Sequence, residues 1–155
     1  MNEKTIDKLI EKDIRFSFKK ELATHTKNGL IDFKSIKYNS SNTSWNGKIL
    51  TIPTYGIYKV SWGFKQSSLD AIYNDDVTKL SLIIDHYKHK SEAVINKETP
   101  SYYAMKSSCV STIVLLRENQ NLSLFAEILK KDNPKMKDIY FSLIKLNTEQ
   151  SNRLD

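Results

Sequence analysis

Gly56-Ile-Tyr-Lys-Val-Ser-Trp-Gly-Phe64 decides the fold class. Within it Tyr58, Val60, Trp62 and Phe64 recur at every second position, with Lys59 and Ser61 between them. A period of two sends successive side chains to opposite sides of an extended chain, so the stretch reads as a half-buried β-strand.

The same pattern extends outward from it. Ile49 to Ile52 is a second strand, ended by Pro53 before the turn at Gly56. Leu80-Ser-Leu-Ile-Ile84 is a third. Arg15 to Lys19, Ile31 to Lys37, Val110 to Leu116, Leu122 to Leu129 and Ile139 to Leu146 also fit strands. Short strands with polar connectors, and no convincing amphipathic helix after residue 14, predict an all-β sandwich or barrel. Its core is expected to hold Phe16, Phe18, Phe33, Tyr58, Val60, Trp62, Val114, Leu116, Phe141 and Leu143.

Two of these strands carry apolar residues on both faces. Val110, Thr112, Val114 and Leu116 share one face, while Cys109, Ser111, Ile113 and Leu115 share the other. In Ile139 to Leu146, Phe141 and Leu143 oppose Tyr140, Ser142 and Ile144. Strands apolar on both faces are usually covered on both. In a two-layer sandwich the second cover comes from outside, and a neighbouring subunit is the economical candidate.

The chain of 155 residues is one domain's worth. Its hydrophobic content of 39% with 27% charged residues argues against overall disorder. The net charge of +6 invites a nucleic-acid reading, but nearly all of it is lysine scattered among acids. Arginine, the usual bidentate reader of phosphate, occurs only as Arg15, Arg117 and Arg153, so nucleic acid is not expected as a partner. Cys109 is the single cysteine, which rules out an intrachain disulfide. Its place in Ser-Ser-Cys-Val-Ser-Thr suggests a packed thiol. The N-terminus lacks the apolar run of a signal peptide, and no stretch reaches the roughly 20 apolar residues of a membrane helix. The sequence leaves the location open between a cell or particle surface reached by a non-classical route and the cytoplasm.

Residues 1–14 form a separate extension, with Ile6, Leu9, Ile10 and Ile14 on one face of a possible short helix. It reads either as a frayed tail or flap, or as the end of a stalk or coiled coil. Residues 15–146 make the domain, and 147–155 a polar tail.

Several segments together resemble a known family. They are Ile31-Asp-Phe-Lys-Ser-Ile-Lys-Tyr-Asn39, Trp45-Asn-Gly-Lys-Ile-Leu-Thr-Ile-Pro53 and Tyr55-Gly-Ile-Tyr-Lys-Val-Ser61. In order and spacing they are similar to the globular head of complement C1q. Phe16 and Phe18 stand where that family has its first-strand Phe. Ile139-Tyr-Phe-Ser-Leu-Ile-Lys-Leu146 looks like the closing strand of that family and its tumour necrosis factor relatives. The resemblance spans roughly residues 15–146. The family's Gly-Asp before the seventh strand is replaced by Asn119-Gln120, and the Gly of its closing strand by Leu143 or Ser142. Asn tolerates the left-handed backbone that such a turn needs.

The resemblance implies a C1q/TNF-like jelly roll of about ten strands, assembled as a homotrimer with one sheet facing a three-fold axis. The axis-facing set would be Lys59, Ser61, Cys109, Ser111, Ile113, Tyr140, Ser142 and Ile144. A ring of Lys59 side chains there would repel itself unless wet, paired with an acid or occupied by an anion.

Chemistry-bearing constellations are few. His86 and His89 have opposite facing on a strand, and His25 is distant, so exposed loop histidines explain them better than zinc. Asp70, Asn74, Asp75 and Asp76 lack the spacing of a strong calcium loop and read as a polar connector. No Gly-x-Ser-x-Gly element or glycine-rich phosphate loop occurs. Neither a metal nor a cofactor is expected, and the chain does not read as an enzyme. Tyr38, Trp45, Tyr55, Tyr73, Tyr87, Tyr102 and Tyr103 are candidate contact residues, since aromatics bury large areas at little entropic cost. Tyr87, Tyr102 and Tyr103 are the best exposed candidates. Three functions remain open: a trimeric recognition head that binds a protein or glycan, a structural trimerisation or decoration domain of a viral, phage or bacterial surface assembly, and a carbohydrate-active enzyme.

Overall fold

A computed structural model describes residues 15–20, 28–33, 44–67, 77–129 and 136–146 of the protein. These hold eleven strands: β1 (Arg15–Lys20), β2 (Gly29–Leu30), β3 (Ser44–Trp45), β4 (Leu50–Thr51), β5 (Gly56–Ser67), β6 (Val77–Ile84), β7 (Tyr87–Ile95), β8 (Ser101–Tyr102), β9 (Met105–Leu116), β10 (Asn121–Leu129) and β11 (Lys137–Lys145). One sheet has the order β1-β11-β5-β9-β8, the other β3-β4-β10-β6-β7 with β2 added on β10. All-antiparallel pairing with crossovers between the two layers makes this a jelly-roll sandwich. No helix among the described residues is long and apolar enough to cross a membrane.

The alternation in β5 sets the core. Tyr58, Val60, Trp62, Phe64 and Gln66 are buried, whereas Lys59 and Lys65 are exposed. From β11, Ile139, Phe141 and Leu143 join them. The facing sheet supplies cross-strand pairs in register: Leu122 with Ile84, Leu124 with Leu82, and Ala126 with Leu80. Burying one such large side chain contributes about 1.5–3 kcal/mol, so these layers dominate stability. Two hydrogen bonds satisfy polar atoms of the buried aromatics. Trp62 Nε1 donates to the Leu80 carbonyl at 2.8 Å, joining the sheets. Tyr58 Oη donates to the Thr54 carbonyl at 2.6 Å, while burial pushes its phenol above the usual range.

Short polar residues close the turns. Asn46 Oδ1 accepts from the amides of Lys48 and Ile49, which reverses the chain between β3 and β4. Asn119 has a φ of 70° and donates its amide to the Ile52 carbonyl, so the Asn-Gln replacement keeps the turn. Asp85, also left-handed, accepts from the Asn121 amide and from Gln120 Nε2, tying the β6–β7 turn to the start of β10.

The structure corrects several sequence expectations. Of the strand expected over Ile31 to Lys37, residues 34–37 lie outside the described residues; the ladder in the described part is at Gly29 and Leu30, and Ile31 donates to the Leu124 carbonyl. β7 had no sequence signal, because Lys88, Lys90 and Glu92 occupy its outer positions. Its first turn carries His86, but His89 is not in an exposed loop: it is half-buried, with its ring 6.4 Å from that of Trp62. Trp45 is a core residue packed on Phe33 and Phe141 rather than a contact residue. Cys109 is exposed in the single chain, not packed. Residues 1–14 and 147–155, the acidic run from Asp70 to Asp76, His25, Tyr38 and Tyr73 lie outside the described residues, as do the side chains of Phe16 and Phe18.

Candidate interaction face and hairpin tips

The side of the five-stranded sheet turned away from the core is built in rungs, because each strand pair is in register. One rung aligns Tyr140, Gly63 and Cys109, and the next aligns Ser17, Ser142, Ser61 and Ser111. Ile144, Lys59 and Ile113 follow, and then Ile57 opposite Leu115. All eight residues predicted for the axis-facing set therefore stand on one face. Ser61 and Ser111 are hydrogen-bonded at 2.9 Å. Below them Ile113 and Leu115 are 51% and 55% exposed, beside half-buried Ile57 and Ile144. Ile57 and Leu115 belong to this apolar patch but were not in the predicted set. Carrying the alternation two residues beyond Lys59 and Ile113 reaches them.

At the other end of the face, Tyr140 crosses Gly63 to reach Cys109. Burial first, then the neighbouring thiol, pushes the Tyr140 phenol up to about 12. A cavity of about 290 Å³ opens beside these residues and is also bordered by Lys65, Ser107 and Asp138. Asp138 sits at a register shift in the β11–β5 ladder with a φ of 49°, and its carboxylate lies 4.0 Å from Lys65 Nζ. Lys59, by contrast, has only hydroxyl and aliphatic neighbours in the flanking rungs of β5, β9 and β11.

The outer face of the second sheet has another character. Lys88 pairs with Glu92 at 2.8 Å and also with Glu127, and Lys79 lies 3.7 Å from Glu92. These four charges neutralise one another within the face.

The tyrosine candidates do not converge. Tyr87, 79% exposed, follows the Asp85 turn, whereas Tyr102 and Tyr103, 75% and 85% exposed, cap the β8–β9 hairpin. The twelve residues of β9 separate the two ends by roughly 40 Å. His89 Nδ1 accepts from the Ser91 amide, and no group of three His, Cys, Asp or Glu side chains suited to a metal occurs among the described residues.

No protein-family model matches the chain, and no curated protein matches it. Among solved structures, the crystal structure of murine APRIL at pH 5.0 is similar to it with a TM-score of 0.60 and 11% identity. That match covers 87% of this chain and 100% of the other. At so low an identity the likeness carries the fold alone: the chain is a jelly roll of the kind found in the tumour necrosis factor family.

Proposed function

We propose that the protein is a non-catalytic homotrimeric recognition module of the C1q/TNF-like kind. In this reading the outer face of the five-stranded sheet forms the contact between copies, and the loops meet a protein or glycan. One observation carries it: Ile113 and Leu115 stand half-exposed in register with Ile57 and Ile144, on the sheet that the resemblance turns toward a three-fold axis. A contiguous exposed apolar patch of this kind marks an interaction site. The opposite face also exposes Leu30 and Leu129 beside its mutually paired charges, so it is the resemblance that selects the five-stranded sheet for the contact. Lys59 within the patch opposes assembly through like-charge repulsion, so association strengthens as salt rises. Three weak loop contacts on one assembly gain avidity without any new interaction.

Ile113→Lys with Leu115→Lys tests the reading. The double variant should keep the far-ultraviolet circular dichroism of the wild type and lose self-association. Retained association with both lysines in place would overturn it.

A further inference from the structure

We propose that Tyr102 and Tyr103 form a carbohydrate platform, one ring taking the C–H face of a pyranose while the other borders it. The proposal rests on the reading of the loops as binding elements and names both the site and its ligand class. The two rings have centroids 4.4 Å apart and planes inclined at 70°, so they make a corner rather than a flat plate. The negative face of an aromatic ring attracts polarised hydrogens, and a phenol at the rim of the corner can exchange hydrogen bonds with sugar hydroxyls.

The tip is also built at a conformational cost. Tyr103 and Ala104, neither of them glycine, hold φ values of 49° and 60°. Tyr102 pairs with Met105, so these are the two loop residues of a type I′ hairpin turn, which requires positive φ at both positions and fixes the tip. The base of the hairpin is fixed. Lys106 is buried, and its Nζ donates to the carbonyls of Asn96 and Lys97 at 3.2 Å each. Asn96 and Thr99 close the adjoining turn through their side chains. A preformed tip suits a polar ligand that gives little binding energy, because little ordering remains to be done on binding.

The surroundings favour a sugar over a protein. Along the hairpin the rings have Pro100 and Ser101 before them and Ala104 and half-buried Met105 after them, and no residue of the paired stretch from Ser101 to Lys106 is an exposed aliphatic side chain larger than Ala104. A protein hot spot needs a wider ring of packed contacts to exclude water. One pyranose needs no more than the corner provides.

Saturation-transfer difference NMR on the full chain tests this, with chitotriose, cellotriose, maltotriose and lactose each at millimolar concentration. At least one should receive transfer concentrated on its ring C–H protons. Tyr102→Ala and Tyr103→Ala should each weaken binding about tenfold, the scale of one lost aromatic contact. Tyr103→Phe should retain transfer, and Tyr87→Ala at the far end should leave it unchanged. Silence with all four sugars would overturn the proposal. Undiminished transfer in the Tyr102→Ala, Tyr103→Ala double variant would also overturn it. The readout does not need the trimer: a sugar-binding monomer would sink the assembly reading alone, and a silent trimer would sink this one alone.

Discussion

Tyr140 lies so close over Gly63 that a β-carbon at position 63 would meet its Cε1 at 2.8 Å. The same β-carbon would stand 2.6 Å from the Ser108 carbonyl oxygen and 2.9 Å from the Cys109 β-carbon. Two of these three neighbours belong to the adjoining strand β9 and cannot swing aside. Gly63→Ala should therefore destabilise the fold by about 1–3 kcal/mol, the usual cost of overpacking. At Gly56 the obstructing atoms are the far end of the Lys145 side chain, which can move. Gly56→Ala should cost clearly less. Urea unfolding of both variants compares them, and equal losses would contradict this account of the Tyr140 rung.

The strain at the β8–β9 tip predicts a gain. Ala104 holds a φ of 60°. Ala104→Gly removes the steric penalty of the left-handed region and keeps both tyrosines, at the expense of a freer unfolded chain. The net effect should be a stabilisation of up to about 1 kcal/mol, read as a rise in the thermal midpoint. A fall in the midpoint would show that the turn is not strained.

A buried polar pair sits near the same end of the sandwich. Thr78 Oγ1 donates to Gln66 Oε1 at 2.9 Å, while Gln66 Nε2 is buried with no hydrogen-bond partner among the described residues. Removing one member of such a pair strands the other, whereas replacing both by apolar groups is often nearly neutral. Thr78→Val alone should cost about 1–3 kcal/mol, and adding Gln66→Met should recover most of that loss. A double-mutant cycle by chemical denaturation measures the coupling, and additive losses would contradict it.

Acid should weaken the charged face of the second sheet. The Lys88 hydrogen bond, with the charges of Lys88 and Lys79, holds the Glu92 carboxyl below its ordinary 4.5. The Asn121 amide and Gln120 hold Asp85 below its ordinary 3.8. A carboxylate depressed in the folded state stabilises it above the unfolded pKa, and the contribution disappears as pH falls through the folded value. Stability should drop below about pH 4.5, by less than about 1 kcal/mol for the Glu92 pairs, which are partly exposed. Glu92→Gln should flatten that part of the profile. Parallel urea-midpoint profiles for variant and wild type would contradict the assignment.

How much of this the sequence reveals depends on each strand's surroundings. β5, β9 and β11 declare themselves because more and less buried positions alternate, and β6 and β10 because they are short, largely apolar runs. The outer face was legible for the same reason: Ile113 and Ile144 break the expectation that a solvated face is polar. β7 was hidden because its outward residues are charged and pair with β6 and β10, a cross-strand relation that no local pattern records. β3, β4 and β8 are two-residue ladders fixed by turns and neighbours, too short to show a period. The exposure of Tyr102 and Tyr103 was legible from their place beside Pro100. The backbone strain beneath them, and the separation of Tyr87 to the far end, follow from register and could only be seen in three dimensions.

The molar mass of the wild-type chain in solution, measured by light scattering across a chromatographic peak, tests the central claim most directly. A single chain is 18.0 kDa. The account predicts a stable species of three chains, about 54 kDa, whose share grows with ionic strength as Lys59 repulsion is screened. A monodisperse species at 18.0 kDa across the same salt range would contradict it.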